Sequence, residues 1–466
     1  MMNKLMLIIC FFLVISCVST TNTKVQKSNT KMNVLFIAVD DLNHWVNYFG
    51  RNKQTKTPNL DRLSAMGMSF TNAHCAAPVC CPSRAAVMSG LRPSTSGVYG
   101  NQDDWRLGIP REITMPTFFR KNGYNVMAGG KIYHGRNYDR EDEFDFYYHS
   151  PRNDFNKKLV NKGVEGAGMN WGEIDDGDEA LSDYHVATWA SEELSKKHDK
   201  PQFLAVGFTK PHLPWNVPKK YFDMFPVESI ELPPYQEDDL NDIPKEGVRM
   251  ANPDFDHTKI KSKTEWKQAI RAYLANIAYV DAQIGRVLDA YEKSPEKDNT
   301  IILLWGDHGW NLGEKHHWRK AVLWEESTRS PLIWVVPGMT KPGSKCEKTT
   351  DFMSFYPTLS ELNGLEKPLH LEGLSTVSLL KNPNAEWNTP ALTTMNENNH
   401  SIRSSKFRYT RYAQGGEEFY DETKDPYEWK NLIGDKTIEA DKEKLSKFLP
   451  KINKKPVGNN GVKAGD

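Results

Sequence analysis

Five short apolar segments recur along the chain, and they constrain its fold more than any other feature. Each is rich in β-branched and aromatic residues and apolar on both faces; they are residues 33–39, 124–129, 203–208, 300–305 and 331–336. Strands of this kind need helices on both sides of their sheet. Residues 265–291 predict one such helix, because their apolar side chains recur at helical spacing. The sequence therefore predicts an α/β fold.

The pattern changes beyond Leu380, where shorter stretches alternate polar and apolar residues, as in "ALTTM", "FRYTRYA" and "EEFYD". Such alternation is typical of an antiparallel sheet with one solvated face. We predict a large α/β domain over residues 32–385. A small C-terminal antiparallel-sheet domain with a Lys-rich tail follows over residues 386–466.

The N-terminus has the features of an export signal. Residues 5–15 form an apolar run behind Lys4 that is too short to span a membrane. The sequence "VISC" that ends at Cys17 looks like a bacterial lipoprotein cleavage box, and ordinary cleavage nearby is the alternative. We predict a signal peptide over residues 1–17, with Cys17 lipidated or removed, and a tether over residues 18–31. The protein would then be exported to the periplasm or cell surface, with a lipid anchor as its only link to the membrane.

Two predicted strands run directly into pairs of metal-binding side chains. Asp40 and Asp41 follow the first strand, and Asp307 and His308 follow the fourth. Because α/β sheets place ligands beyond the carboxyl ends of their strands, the two pairs are expected to meet. A hard cation such as Ca²⁺ takes several oxygen ligands, while His308 leaves Mn²⁺ or Zn²⁺ open. The alternative is that each Asp caps a helix or forms an Asx turn, as most Asp residues at strand ends do, and one pair alone would favour that explanation.

Basic residues form a second set beyond the strand ends. Lys plus Arg and Asp plus Glu each number 60, so the net charge is zero, nucleic acid is not expected as a partner, and anion binding must be local. Three short motifs supply local cations: "GGKIYHGR", "FTKPHLPW" and "GEKHHWRK". Together with a dication they would form a pocket for a tetrahedral oxyanion, which indicates phosphate or sulfate esters as substrates.

These motifs, taken with "CCPSRAAVMSGLRPS", resemble those of the formylglycine-dependent sulfatases. "VDDLN", "GKIYH", "KPHLPW" and "GDHGWNLGE" follow in the order of that family, and they are most similar to its iduronate-2-sulfatase-like branch. The resemblance runs from residue 33 to the segment "EEFYDETKDPYEWKNL". It implies an alkaline-phosphatase-like mixed sheet flanked by helices, a small C-terminal sheet domain and one Ca²⁺.

The resemblance also separates the two neighbouring cysteines. Counting back from Pro82-Ser83-Arg84, Cys80 is the residue that a formylglycine-generating enzyme or an anaerobic sulfatase-maturating enzyme would oxidise. A thiolate attacking sulfate would form a stable thiosulfate ester. A hydrated aldehyde instead offers one hydroxyl to attack sulfur and a second whose deprotonation expels sulfate. Cys75, Cys81 and Cys346 are then the remaining thiols, among which at most one disulfide can form.

The matched positions imply a role for each polar residue. The metal ligands are Asp40, Asp41, Asp307, His308 and the oxidised Cys80. Arg84 orients the formylglycine and the metal carboxylates, Lys131 and Lys320 neutralise the transferring group, His134 is the base, and His212 is the acid. Lys210 supports His212 or binds substrate. Trp215, Trp310 and His317 are candidate substrate contacts, for which packing is an equal alternative.

Three functions fit these features. The first is a sulfatase acting on a sulfated polysaccharide, for example an algal polymer such as ulvan. The second is a phosphonate or phosphate ester hydrolase with the same oxidised cysteine. The third is a non-catalytic glycan-binding lipoprotein, for which Cys80 would stay a thiol; a paired acid and base argue against it.

Overall fold

The computed structural model describes residues 31–135, 141–154, 163, 168–260 and 262–458. The strands within these ranges are β1 Asn33–Val39, β2 Met68–Phe70, β3 Ala73–His74, β4 Asn125–Gly130, β5 Phe146–Tyr148, β6 Trp171–Ile174, β7 Gln202–Phe208, β8 Trp215–Pro218, β9 Thr300–Gly306, β10 Asn311–Leu312, β11 Trp318–Arg319, β12 Leu332–Val335, β13 Ser344–Cys346, β14 Thr350–Asp351, β15 Ala391–Thr394, β16 His400–Arg403, β17 Phe407–Arg411 and β18 Glu417–Asp421. All five predicted strands are present, with ends within one residue of the predicted ones.

The main sheet has eight strands in the order β13-β2-β12-β9-β1-β7-β4-β5. Neighbouring strands from β9 to β5 are parallel, whereas β12 runs antiparallel to both of its neighbours. The sheet is therefore mixed, as the family resemblance implies.

Alternating residues of β1 pack into two separate cores. Leu35, Ile37 and Val39 belong to one apolar cluster, and Val34, Phe36 and Ala38 belong to the other. Every residue of this strand is buried, because helices cover both faces of the sheet. Burying each large side chain contributes about 1.5–3 kcal/mol, so a strand of this kind is stable only at the centre of the sheet.

The α-helices in the described ranges are α1 Pro58–Met66, α2 Cys80–Ser89, α3 Pro93–Ser96, α4 Met115–Lys121, α5 Ser182–Leu194, α6 Lys219–Phe222, α7 Lys245–Ala251, α8 Lys263–Lys293, α9 Glu325–Thr328, α10 Phe355–Leu362, α11 Val377–Lys381 and α12 Glu439–Ser446. α8 is the predicted covering helix. It begins after Ser262, whose hydroxyl caps it by accepting the N–H of Glu265 at 3.2 Å. Its apolar side chains, including Leu274 and Ile277, are buried against the sheet.

A second, four-stranded antiparallel sheet follows, in the order β15-β16-β17-β18. Its apolar face, which includes Ile402 and Phe419, packs against Ile438 and Leu445 from the segment that ends in α12. This is the small C-terminal sheet that the sequence predicts. The domain limits at residues 385 and 386 stay a prediction, and β15 begins five residues beyond them.

Other sequence-based expectations concern the cysteines and the termini. In the described part of the chain, Cys75, Cys80, Cys81 and Cys346 are free and buried, so no disulfide joins them. No helix in the described ranges is both long enough and apolar enough to cross a membrane. The predicted signal peptide, and the tether up to residue 30, lie outside the described residues, as does the tail from residue 459.

Candidate active site

The site lies where three neighbouring strands end. Val39 of β1 pairs with both Phe208 of β7 and Gly306 of β9, so the next residues of all three strands leave the sheet at the same level. Backbone hydrogen bonds fix this register: Asp40 N–H donates to Phe208 O at 3.1 Å, and Asp307 N–H donates to Val39 O at 3.0 Å. The two predicted metal-binding pairs are therefore brought together. Asp41 N–H donates to Asp307 Oδ1 at 2.9 Å.

α2 brings the cysteine motif to this edge. The helix starts at Cys80 after an extended Val79, ends at Ser89 before Gly90 with its φ of 73°, and is buried along its whole length. Cys81 N–H is held by Asn101 Oδ1 at 2.9 Å, and the Ser83 hydroxyl donates to Asp307 O at 2.5 Å. Because the helix N-terminus carries a partial positive charge, Cys80 is placed where an anion is stabilised.

Arg84 links α2 to one carboxylate of each metal-binding pair. Its Nε donates to Asp307 Oδ2 at 2.8 Å and its Nη2 to Asp40 Oδ1 at 3.2 Å, with all three side chains buried. It also donates to the main-chain oxygens of Lys131 and Ile132. Burial would lower the pKa of Arg84, but Asp307 and Asp40 raise it, so the guanidinium stays charged. The predicted orienting role of Arg84 fits these contacts.

Two lysines complete the charge balance. Lys131 Nζ contacts Asp40 Oδ2, while Lys320 Nζ lies 2.7 Å from Asp41 Oδ1 and 2.9 Å from Cys80 Sγ. Burial would raise the pKa of Asp40, but Lys131 and Arg84 hold it well below its usual value. Burial likewise would lower the pKa of Lys320, and Asp41 raises it instead. Three carboxylates thus face three cations, and the net charge of the six groups is zero.

The donor set fits a divalent cation. Asp41 Oδ2 is buried and has no hydrogen-bond partner in the described residues. His308 Nδ1 lies 2.9 Å from Gly309 O, which directs Nε2 into the site, 3.3 Å from both Cys80 Sγ and Asp41 Oδ1. Possible ligand atoms lie within 4.8 Å of one another in two overlapping groups: Asp40, Asp41, Cys80 and His212, and Cys80, Asp307 and His308. Carboxylate oxygens and one imidazole nitrogen are a suitable set for such an ion.

Two further histidines face the same space. Burial, aided by Lys131, lowers the pKa of His134 to about 2, and its Nδ1 is buried without a partner in the described residues. His212 donates from Nδ1 to Leu213 O at 2.5 Å and directs Nε2 toward Asp41 Oδ2, 3.9 Å away. Burial also lowers the pKa of His212, although Asp41 opposes the shift. Both rings are therefore neutral in this state of the site.

Lys210 lies near His212 in the chain but contacts other groups. Its Nζ donates to Pro214 O, and its N–H donates to Asp183 Oδ2 at 2.8 Å. Burial lowers the pKa of Lys210 to about 8, against the effect of Asp183. Asp183 also accepts the N–H of Thr209 at 2.9 Å, so it fixes the start of the loop that carries His212. Sequence reasoning missed Asp183, which has no motif around it.

The three candidate substrate contacts are buried. Trp215 is fully buried, donates from Nε1 to Pro211 O at 2.8 Å and packs edge-on against Trp310. The ring of Trp310 lies 5.5 Å from Lys320 Nζ. His317 lies between Ala251 O at 2.6 Å and Lys320 O at 2.9 Å. These contacts show how each ring packs around the loops of the site, while substrate binding by them stays a prediction.

The loop that carries Lys320 is held in an uncommon conformation. Lys315, His316, Arg319 and Ala321 have φ between 52° and 75°, which non-glycine residues seldom adopt. The His317 ring holds this loop to α7, because its two nitrogens lie within hydrogen-bond distance of the main-chain oxygens of Ala251 in α7 and Lys320 in the loop. A cavity of about 650 Å³ opens beside it, with Lys320, Arg249 and Gln414 in its wall. Cavities of this size are typical of ligand sites.

Comparisons with known proteins agree with this geometry. A family model described as Sulfatase matches residues 32–365, and one described as N-sulphoglucosamine sulphohydrolase, C-terminal, matches residues 313–455. A sulfatase of Formosa agariphila is 41% identical over 94% of this chain and 90% of its own. Human iduronate 2-sulfatase is 30% identical over 75% of this chain and 72% of its own.

Two further proteins extend the comparison. An ulvan-active sulfatase of Formosa agariphila is 28% identical over 95% of this chain and 85% of its own. The solved phosphonate monoester hydrolase of Agrobacterium radiobacter has a TM-score of 0.74 at 21% identity, over 90% of this chain and 94% of its own, and so shares the fold. With a family model covering most of its length, the chain belongs to the sulfatase family and is a sulfate ester hydrolase.

Proposed function

We propose that this sulfatase removes sulfate from a sulfated polysaccharide or its oligosaccharides, with Cys80 converted to formylglycine and Ca²⁺ in the site. One observation carries the proposal. Cys80 lies at the start of α2, 2.9 Å from Lys320 Nζ and 3.3 Å from His308 Nε2, within a buried group of balanced charges. The relative from Formosa agariphila that is named as an ulvan-active sulfatase supports a polysaccharide substrate.

The environment of Cys80 disfavours its use as a thiol nucleophile. Burial, together with Asp40, raises the pKa of the thiol well above its usual value. An unmodified Cys80 would therefore stay protonated and would be a weak nucleophile, since thiolates are the reactive form. Once oxidised by a maturating enzyme, which is the proposed partner, the residue supplies a hydroxyl nucleophile without the need for a thiolate.

The charges of the site match a sulfate ester. Three cations balance three carboxylates, so a dication held by Asp40, Asp41, Asp307 and His308 would bring the net charge to +2 and polarise a sulfate oxygen. Lys131 and Lys320 would stabilise negative charge that develops on the sulfate oxygens during transfer.

His134 and His212 would move the protons. Burial keeps His134 neutral before substrate binds, so its unpartnered Nδ1 is available to accept the proton of the second formylglycine hydroxyl, the step that expels sulfate. The transferred sulfate would strengthen this base, because a nearby anion raises the pKa of an imidazole. His212 is also neutral before substrate binds, so as an acid it must first gain a proton at Nε2. The negative charge of a bound sulfate ester would favour that protonation, because a nearby anion raises the pKa of an imidazole.

The main test combines mass spectrometry with a substrate comparison. Mass analysis of the peptide that holds Cys80 should show an aldehyde, and a thiol there would favour the non-catalytic binding protein. The same preparation should release sulfate from sulfated oligosaccharides, and Cys80→Ala should abolish this release. Aryl sulfate, phosphate diester and phosphonate substrates are compared in parallel. Faster turnover of phosphonate than of sulfate would favour the second function, for which the shared fold with the phosphonate hydrolase is the supporting observation.

The location follows from the N-terminal sequence. We propose export to the periplasm or cell surface as a lipoprotein anchored at Cys17, in keeping with a polymer substrate that stays outside the cell. Radiolabelled palmitate should label the wild type but not Cys17→Ala. Labelling of both would contradict the anchor.

A further inference from the structure

The cavity beside Lys320 is built from parts that are distant in the sequence. Its wall includes Arg249 near the end of α7, β11, and Gln414 from the turn between β17 and β18. Lys320 belongs to the same wall, and its Nζ lies 2.9 Å from Cys80 Sγ. Lys320 therefore connects the wall of the cavity to the site of Cys80.

Arg249 is an unpaired cation in this wall. Its side chain is exposed, and its guanidinium donates only one long hydrogen bond, of 3.3 Å, to Gln414 Oε1. In the described part of the chain, no carboxylate lies within ion-pair distance of it. Among the acidic groups of the cavity wall, Asp256 accepts two hydrogen bonds from Arg319 and Glu397 pairs with Lys455, while Glu246 makes no ion pair with any residue that the structure describes.

The backbone beneath Arg249 is fixed by two close approaches. A Cβ at Gly247 of α7 would lie 2.7 Å from Glu418 Oε1 and 2.8 Å from the Tyr412 hydroxyl. A Cβ at Gly416 would lie 2.8 Å from Glu246 Oε2. A larger residue at either position would have to displace these side chains, so α7 packs closely on the β17–β18 turn. This packing places the backbone that carries Arg249 at the wall of the cavity.

We infer that Arg249, assisted by Gln414, binds a second anionic group of the substrate, either a carboxylate or a second sulfate. The inference rests on the proposed function, and it adds that the preferred substrate carries two negative groups. A guanidinium donates two parallel hydrogen bonds to such an oxyanion. Because Gln414 already accepts from Arg249 through Oε1, its Nε2 remains as a further donor.

The test compares three substrates that differ only in their second anion. They are a disaccharide with one sulfate and no other charge, the same disaccharide with a uronate carboxylate, and one with two sulfates. Michaelis parameters are measured for the mature wild type, Arg249→Met and Lys245→Met. Lys245 is exposed on the same helix and lies outside the cavity wall, so its variant removes the same charge without removing a ligand.

The wild type should have a higher kcat/KM on a doubly charged substrate than on the singly charged one. Whether the uronate or the disulfated sugar has the higher value shows whether the second anionic group is a carboxylate or a sulfate. Arg249→Met should lower kcat/KM on that substrate by roughly 10- to 100-fold, mainly through KM, because a hydrogen-bonded charge is lost. The singly charged substrate should be little affected, and Lys245→Met should behave like the wild type on all three.

Two results would overturn the inference. Either the wild type shows no preference for a second anion, or Arg249→Met loses equal activity on all three substrates. Failure of the mature wild type to release sulfate from any of them would instead contradict the proposed function. An independent readout is binding to the Cys80→Ala protein by calorimetry, where adding Arg249→Met should weaken binding of the doubly charged sugar alone.

Discussion

Replacing Lys320 by methionine tests the proposed site at the side chain that contacts both Asp41 and Cys80. Lys320 Nζ lies 2.7 Å from Asp41 Oδ1 and 2.9 Å from Cys80 Sγ, and the side chain is almost completely buried. Methionine is of similar length and carries no charge. The change would leave three buried carboxylates facing only Arg84 and Lys131.

The expected effects on activity and on stability follow from these contacts. Removing one partner of a buried ion pair costs about 3–5 kcal/mol, because the remaining charge has no compensation. Removing one group that stabilises developing negative charge lowers kcat by roughly 10²- to 10³-fold. Added Ca²⁺ should recover part of the lost free energy of unfolding, because a dication restores positive charge beside Asp41.

The assay measures kcat per folded molecule and the free energy of unfolding in urea, each with and without Ca²⁺. Lys315→Met is the matched control. Lys315 is as deeply buried, and its Nζ lies 2.7 Å from Asp239 Oδ1, but it makes no contact with Cys80 in the structure. The Lys315→Met variant should lose about as much free energy of unfolding as Lys320→Met, while its kcat stays that of the wild type. If Lys320→Met kept both the kcat and the unfolding free energy of the wild type, the assignment of Lys320 to charge neutralisation would be wrong.

Three further measurements test other parts of the structure. Burial and the nearby Glu326 raise the pKa of Glu314 to about 8, above the unfolded value of about 4.3. Between pH 5 and pH 8 the folded state therefore binds more protons than the unfolded state, so its stability falls as the pH rises. In urea unfolding, the free energy of unfolding of the wild type relative to Glu314→Gln should fall by up to about 1.4 kcal/mol per pH unit over this range. A chelator should lower the Tm of the wild type, and Ca²⁺ should restore it, whereas Asp41→Asn should respond much less. Trp215→Ala should lose about 3–5 kcal/mol of stability with KM unchanged, since Trp215 is fully buried and bonded to Pro211; a raised KM with normal stability would instead make it a substrate contact.

The central strands could be predicted because their signal is local. A buried strand such as β1 is apolar at every position, and the predicted and observed limits agree. β2 and β13 were missed because each has only three residues, and "SKC" in β13 carries no apolar run. Their positions depend on pairing with β12 and with each other, which short segments do not encode.

The same distinction applies to the site. Asp40 and Asp307 could be expected to meet, because each directly follows a parallel strand and the register of those strands carries them to one edge. The direction of a side chain in a loop has no such rule. Lys210 follows β7 as expected, yet its Nζ turns to Pro214 O because Asp183 and burial shape that loop. Arg249 has no motif and meets Gln414 across 165 residues only through the packing of α7 on a turn.

Charge balance connects the fold to the activity. Burying three carboxylates together would be prohibitive if each lacked a cation, and Arg84, Lys131 and Lys320 come from three different parts of the chain to meet them. The fold can therefore form before any ion or substrate binds. Because these six side chains have no net charge, they attract neither a cation nor an anion strongly. Binding of a dication would make the site positive. Sulfate ester binding should accordingly depend on divalent cation concentration, and loss of the cation should weaken substrate binding before it unfolds the protein.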